Sequence, residues 1–263
     1  PLEIQTPDIL IIESTNGYGG DELLYCRDIQ ERIMFEILDN VLMKGESILL
    51  PSYTLGRAQE MLAIVARHSS SNPGLPYDIV IDGLAAQATR VWEGMRFQHE
   101  TPKIFLDLIK KIQAKLIRGD ESTCDREEFI HKQIQNPPKV IIASSGALKQ
   151  GSTSYEYARK MDKKNIIRTG YFESEWDSAD ITSLPSEIEA QLTNESKKLR
   201  FSAHATMEEL FRFVINLRPK YTLLIHGEPN KNVNKSVTIL DLLQAMARPD
   251  FKVKTSHDKE VIK

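Results

Sequence analysis

The chain has 263 residues, 41% hydrophobic and 27% charged, a balance that supplies one large or two modest globular cores and excludes a disordered or fibrous polymer. Thirty-four basic against 37 acidic residues leave a formal charge of −3, which excludes a general basic coat and requires any nucleic-acid contact to come from a local patch. The two cysteines, Cys26 and Cys124, lie far apart without CxxC spacing, which argues against a disulfide framework or a cysteine-based zinc site and fits a reducing, cytoplasmic setting.

In chain order, strands are expected at 9–12, 48–50, 79–81, 140–143, 165–168, 199–201 and 222–225. They are nearly all-apolar instead of alternating, the pattern of strands covered on both faces. Helices are expected at 27–43, 57–67, 85–96, 103–117, 126–134, 155–162 and 235–247. In the first, Ile33, Ile37 and Val41 form one stripe beside Met34, Leu38 and Leu42. This alternation implies an α/β fold with a largely parallel sheet. Residues 68–76 (HSSSNPGLP) read as a turn-rich loop, and 177–196 as a connector between domains. After the connector, Thr206-Met207-Glu208-Glu209 forms a capping box, in which hydroxyl and carboxylate satisfy the orphan N–H groups of a helix start. Met207, Leu210, Phe211 and Val214 then mark a buried face, and Arg218-Pro219 ends the helix. No apolar run approaches the length of a membrane span and the start carries no signal-peptide pattern, so no membrane association is expected.

Six histidines are present, at 68, 99, 131, 204, 226 and 257. His204 and His226 alone close strands, in KLRFSAH and YTLLIH, and carboxyl ends of strands face the ligand crevice in open α/β folds. Taken singly, each reads equally well as a hydrogen-bonded strand-end histidine; two in one position, a strand–helix unit apart, point to a shared site. The other four sit in polar surroundings and are expected to be structural. Glu13 closes the strand PDILIIE, where a carboxylate after four aliphatic residues is costly to bury without a partner. It reads as an exposed loop acid or as a group that orients a histidine. Two further loops, Ser52-Tyr53-Thr54-Leu55-Gly56-Arg57 and Ser144-Ser145-Gly146, place hydroxyls, backbone N–H groups and one arginine at helix starts. Such starts favour anions, although Ser and Thr serve there more often as ordinary caps. Trp92, Phe97, Phe105 and Phe129 read as packing, and Lys110-Lys111 and Lys197-Lys198 as solvated.

The strings ILIIEST, GESILLPSYTLGRAQE, VIDGLAAQAT, KVIIASSGAL, FSAHATMEEL and YTLLIHGE occur in that order and cover nearly the whole chain. Together the chain resembles the β-CASP branch of the metallo-β-lactamase-fold nucleases, in the style of the RNA 3′-end-processing endonucleases and their archaeal relatives. The resemblance implies a 15–195 β-CASP cap with a parallel sheet and flanking helices. Residues 1–14 and 196–263 would then be a strand and the C-terminal part of a metallo-β-lactamase αββα domain. It implies zinc-dependent hydrolysis of RNA phosphodiesters, with two zinc ions in the complete enzyme. Glu13 would pair with His204, His204 would protonate the departing oxygen or hold the scissile phosphate, and His226 would ligate zinc. Ser52, Arg57, Ser144 and Ser145 are the candidates to grip phosphates. The departures are Asn16 for Tyr in ESTYG, Thr206 for Asp in FSAHAD, and Ser145-Gly146-Ala147 for an SPGM-like turn.

The family's metal motif, HxHxDH, does not occur in these 263 residues. A catalytic zinc takes three protein ligands and an open position, so His226 by itself is insufficient. The implied partners are therefore RNA and a polypeptide supplying the motif, either a preceding segment or a second chain in a homo- or hetero-oligomer. A fragment, one chain of a split enzyme and a retired pseudo-subunit are all open readings; keeping Glu13, His204 and His226 weighs against the last. The rival from another class is a non-catalytic scaffold that binds RNA or a partner nuclease. The implied location is cytoplasmic, or nuclear in a eukaryote.

Overall fold

A computed structural model of the chain describes residues 6–15, 27–94, 100–119, 125–162, 165–169, 197–199, 201, 204–226, 239–245 and 252–255. Cys26, Cys124, Asn16, Phe97, His99, His257 and the connector 177–196 lie outside them. The chain divides into two compact units, Gln30–Phe201 and the pair Pro1–Ile29 with Ser202–Lys263. Leu199 and Phe201 are buried with the core of the larger unit.

In the larger unit the chain runs α1 (Arg27–Leu42), β2 (Ile48–Pro51), α2 (Arg57–Ser71), β3 (Asp78–Asp82), α3 (Leu84–Gly94) and α4 (Glu100–Lys111), with β1 lying in the other unit. It continues with β4 (Leu116–Gly119), α5 (Arg126–Gln135), β5 (Lys139–Ala143), α6 (Thr153–Lys160), β6 (Ile167–Arg168) and β7 (Lys197–Lys198). Four strands form a parallel sheet in the order β2-β5-β3-β4; β6 and β7 pair in parallel, and a bridge between Leu49 and Ile166 sets β6 beside β2. The all-apolar runs have the expected cause. Ile48, Leu50, Ile79, Ile81, Val140 and Ile142 face one core with α1 and α2, whereas Leu49, Val80 and Ile141 face the other with Tyr157 and Ala158 of α6. Each such side chain contributes about 1.5–3 kcal/mol by leaving water.

Three expectations need correcting. The helix expected over 103–117 ends at Lys111, and Leu116 and Ile117 belong to strand β4 beside β3, because sheet-edge pairing overrides a helical spacing of apolar residues. The strand expected at 199–201 is formed by Lys197 and Lys198, and Leu199 extends it by donating its N–H to the Arg168 carbonyl at 2.8 Å. The turn-rich reading of 68–76 fails at its start. α2 runs on to Ser71, with His68 fully buried and Ser70 donating its hydroxyl to the Ala66 carbonyl at 2.8 Å.

His68 is thus a buried residue with chosen partners, not one set among surface polar groups. Phe35 meets its ring edge-on with centroids 5.0 Å apart, Nδ1 is 2.8 Å from the Tyr77 hydroxyl, and Nε2 is 3.1 Å from Asp39 Oδ1. Burial pushes the imidazole down from its ordinary value, more than the hydrogen bond and charge of Asp39 raise it. The unfolded chain therefore takes up this proton at a higher pH than the folded one. The associated stability is complete above the ordinary imidazole value, about 6.5, and declines as the pH falls below it. Urea midpoints are expected to drop between pH 7 and pH 5, and His68→Gln should flatten that slope. An unchanged slope would assign the acid sensitivity to other groups.

The smaller unit holds β1 (Ile9–Glu13), α7 (Met207–Leu217), β8 (Tyr221–Ile225), α8 (Ile239–Ala245) and β9 (Lys252–Thr255), the last unforeseen from the sequence. The strands form a parallel sheet in the order β1-β8-β9. Leu10, Ile12 and Leu224 pack on one face against Met207, Leu210 and Val214 of α7 and Ile239 and Leu243 of α8. The other face of β1 is bare, with Ile9 and Ile11 52% and 60% exposed, so the expected two-sided cover is absent here. Thr206 caps α7 as expected: its hydroxyl accepts the Glu209 N–H at 3.2 Å and its own N–H donates to the Glu209 carboxylate at 2.8 Å. Among the described residues no helix is long and apolar enough to cross a membrane.

Candidate metal and acid–base site

Parallel pairing decides where the smaller unit's polar residues meet. Register aligns Ile9 with Tyr221 and Glu13 with Ile225, so both strands end at one level and His226 follows immediately beside Glu13. The ladder extends one residue, with Ser14 donating its N–H and its hydroxyl to the Ile225 carbonyl at 2.8 and 3.1 Å. His226 then turns the chain in a left-handed conformation, φ 56°, which non-glycine residues adopt infrequently and histidine more readily than most. His204 enters from the other direction, two residues ahead of the Thr206 cap of α7.

The three side chains meet. His204 Nδ1 lies 3.3 Å from Glu13 Oε2, and the rings of His204 and His226 are 5.6 Å apart between centroids. One ligand-capable atom from each of Glu13, His204 and His226 falls within 4.8 Å of the others, the one such cluster among the described residues. Both histidines are exposed. Partial burial works to raise the Glu13 carboxyl. Hydrogen bonds from the Thr15 hydroxyl and N–H, the charge of His204 and the Ala205 N–H outweigh it and hold the group below its ordinary value. Glu13 is therefore a carboxylate whose oxygens are already engaged, with the Thr15 N–H at 2.8 Å.

That engagement bears on what a metal would find here. One carboxylate and two imidazoles are suitable zinc donors in kind. Glu13, however, is committed to Thr15, Ala205 and His204, which suits a group that orients an imidazole better than one that ligates. His226 has one ring nitrogen beside the Thr15 hydroxyl, at 3.0 Å, and its other nitrogen is the donor that fits a metal. The residues fit zinc as contributors to a site, and the His226 nitrogen turned away from Thr15 is the one left to face an ion.

The other four sequence candidates belong to the larger unit. Ser52, Ser144 and Ser145 lie at the carboxyl ends of the neighbouring strands β2 and β5. The two loops abut so closely that a Cβ on Gly146 would come within 2.8 Å of the Tyr53 ring, which requires glycine there. Ser52 is fully buried, its hydroxyl donating to the Leu50 carbonyl at 3.1 Å and its N–H to the Ala143 carbonyl at 2.9 Å. Ser144 is buried, its carbonyl accepting the Ser154 N–H at 2.7 Å. Ser145 is half-buried; its carbonyl accepts the Ser154 hydroxyl at 2.6 Å and its hydroxyl accepts the Ala147 N–H at 3.2 Å. Arg57 pairs with Glu60 and donates to the Phe201 carbonyl, tying α2 to the end of its own unit. Internal hydrogen bonding thus occupies much of this set.

Two residues with central positions drew no role from the sequence. Thr15 touches both Glu13 and His226; it stands in the quoted ILIIEST string, but a threonine one residue past a strand end has no distinguishing signal. Asp82, at the end of β3, is fully buried, with its carboxylate receiving Arg126 at 2.8 Å, the Tyr157 hydroxyl at 2.7 Å and the Gly83 N–H at 2.6 Å. Its donors come from α5, α6 and the next residue, a convergence invisible along the chain.

The chain is similar to known proteins along most of its length. A family model described as "Zn-dependent metallo-hydrolase RNA specificity domain" matches residues 195–232, the stretch containing His204 and His226. The chain is 26% identical over 251 residues to the "Transcription termination factor FttA" of Pyrococcus horikoshii, covering 88% of this chain and 38% of that protein. It is 27% identical over 254 residues to an "RNase J-like protein" of Methanocaldococcus jannaschii, covering 92% of this chain and 57% of the relative. It is 28% identical over 247 residues to "Cleavage and polyadenylation specificity factor subunit 3-I" of Arabidopsis thaliana, covering 86% and 33%. The chain therefore spans between a third and three-fifths of the length of these relatives.

Proposed function

We propose that this chain, a member of the β-CASP branch of the metallo-β-lactamase-fold nucleases, supplies the acid–base pair and one metal ligand of a zinc-dependent ribonuclease. The observation that carries this reading is the convergence of Glu13, His204 and His226 at one end of a parallel sheet. Residues 15–195 are assigned to the β-CASP domain, and 1–14 with 196–263 to the metallo-β-lactamase domain. An HxHxDH-bearing polypeptide, in the same chain or a partner, would complete the ligand set and bury the bare face of Ile9 and Ile11.

When bound, two zinc ions would supply Lewis acidity and a hydroxide nucleophile at neutral pH. The chain's own residues do the rest. Glu13 accepts the Nδ1–H of His204 and stabilises the imidazolium, which aims the Nε2–H outward. That proton passes to the departing oxygen as the phosphodiester P–O bond breaks. His226 would hold metal through the nitrogen turned away from Thr15. The loops carrying Ser52, Arg57, Ser144 and Ser145 grip RNA phosphates, with Ser145 the least buried of the three serines.

The test is direct. Joined to the HxHxDH polypeptide, the protein should cleave RNA, and chelation should abolish the cleavage. A metal-loaded assembly without cleavage would support the alternative, a scaffold that binds RNA or a partner nuclease. The 263-residue chain alone should bind zinc weakly by calorimetry. Tight, stoichiometric zinc would mean that Glu13, His204 and His226 act as a complete three-donor set.

A further inference from the structure

We infer that Thr15 is a positioning residue that fixes the tautomer of His226, placing the proton on Nδ1 and presenting Nε2 with its lone pair. The inference rests on the reading of His226 as a metal ligand only for its purpose; its geometry stands apart from that reading. The Thr15 hydroxyl lies 3.0 Å from His226 Nδ1 and 3.1 Å from the His226 carbonyl oxygen, while the Thr15 N–H donates to the Glu13 carboxylate at 2.8 Å. A hydroxyl has one proton to give and lone pairs to be met. The carbonyl can only accept, so the hydroxyl proton has a suitable acceptor already. Of these two contacts, His226 Nδ1 alone can act as donor. The arrangement that satisfies every group is therefore Nδ1–H directed at the Thr15 oxygen, with the Thr15 proton on the carbonyl.

The alternative, with the Thr15 proton directed at a bare Nδ1, would put the other imidazole proton on Nε2 and block that nitrogen as a ligand. It would also leave the Thr15 oxygen facing acceptors only. The grip extends to the main chain. Thr15 holds the carbonyl of a residue in the left-handed region, where an exposed imidazole would otherwise be free to swing. Ring orientation and proton placement are thus set by one side chain, the usual duty of the outer partners of metal-binding histidines. A threonine suits this task because its branched Cβ restricts χ1, so the hydroxyl points one way.

The test reads the tautomer directly in the full 263-residue chain, without metal, by long-range ¹H–¹⁵N correlation of the histidine rings. Measurement roughly two pH units above the ordinary imidazole value keeps the rings neutral. The unsubstituted chain is expected to show His226 with a pyrrole-like Nδ1 and a pyridine-like Nε2. Thr15→Val keeps the shape and removes the hydroxyl; it should shift His226 towards the Nε2–H form that free imidazoles prefer. Thr15→Ser should restore the original signature. If Thr15→Val fails to fold, Thr15→Ala serves in its place with the same expectation. Nε2–H in the unsubstituted chain, or a signature that survives loss of the hydroxyl, overturns the inference. In the completed, metal-loaded protein, zinc affinity should fall about 10–100-fold with Thr15→Val and recover with Thr15→Ser. A correct tautomer with no zinc binding or cleavage in that assembly would sink the nuclease reading while leaving the role of Thr15 intact.

Discussion

Replacing His204 with alanine in the completed, metal-loaded protein is expected to lower kcat for RNA cleavage by roughly 10²–10⁴-fold, the usual contribution of a positioned general acid. Zinc content should stay unchanged, because His204 faces Glu13 through Nδ1 and the ligand proposed above is its neighbour His226. Glu13→Gln should produce a smaller loss in the same step, since the amide keeps the shape of the carboxylate but cannot stabilise the imidazolium. Combining the two substitutions should cost little more than His204→Ala alone, because residues acting as a unit are not additive. A leaving group of low pKa should restore much of the lost rate, as it needs no proton. Unchanged turnover in His204→Ala would remove this residue from the chemistry. Loss of zinc along with activity would recast it as a ligand.

The second large effect concerns stability. Asp82→Ala should destabilise the larger unit by about 3 kcal/mol, read from urea midpoints. The substitution strands the buried Tyr157 hydroxyl and opens a gap beside Gly119, where an added Cβ would come within 2.2 Å of the Asp82 carboxylate. Arg126, 43% exposed, can turn to water and so adds less than a fully buried partner would. Asp82→Asn, close in volume, should also destabilise, because its amide nitrogen must face the donor of either Tyr157 or Arg126. Pairing Asp82→Ala with Tyr157→Phe should recover part of the loss, since the hydroxyl no longer seeks an acceptor. Equal midpoints for all variants would show that the convergence is incidental to folding.

Much of the architecture could be read from the chain because periodicity and capping are local. The runs at 48–50, 79–81 and 140–143 contain too few polar residues for a one-sided strand, and in the structure helices cover both of their faces. Thr206 and Glu209 announced a helix start that the hydrogen bonds bear out. The misreadings share one cause. At 116–119 and 197–198 a short polar-flanked segment becomes a strand because a partner strand is available, and at 68–71 a polar run remains helical because Phe35, Asp39 and Tyr77 surround His68.

The site divides along the same line. From its letters alone the chain determined that Glu13 and His226 close strands and that His204 stands just ahead of a capped helix, since strand ends and caps are marked by nearest neighbours in sequence; the strand expected to end at His204 lies further back, at Lys197–Lys198. Tertiary structure decided that these ends coincide, through the in-register parallel pairing of β1 with β8, and that Thr15 sits between two of them. It also decided that the Ser52 and Ser144 side chains are buried, and that Asp82, which no sequence pattern singled out, receives three donors. Hydrogen-bond partners separated by 44, 75 or 211 residues leave no trace in local pattern, because the energy that unites them is realised only when the chain has closed the loops between them.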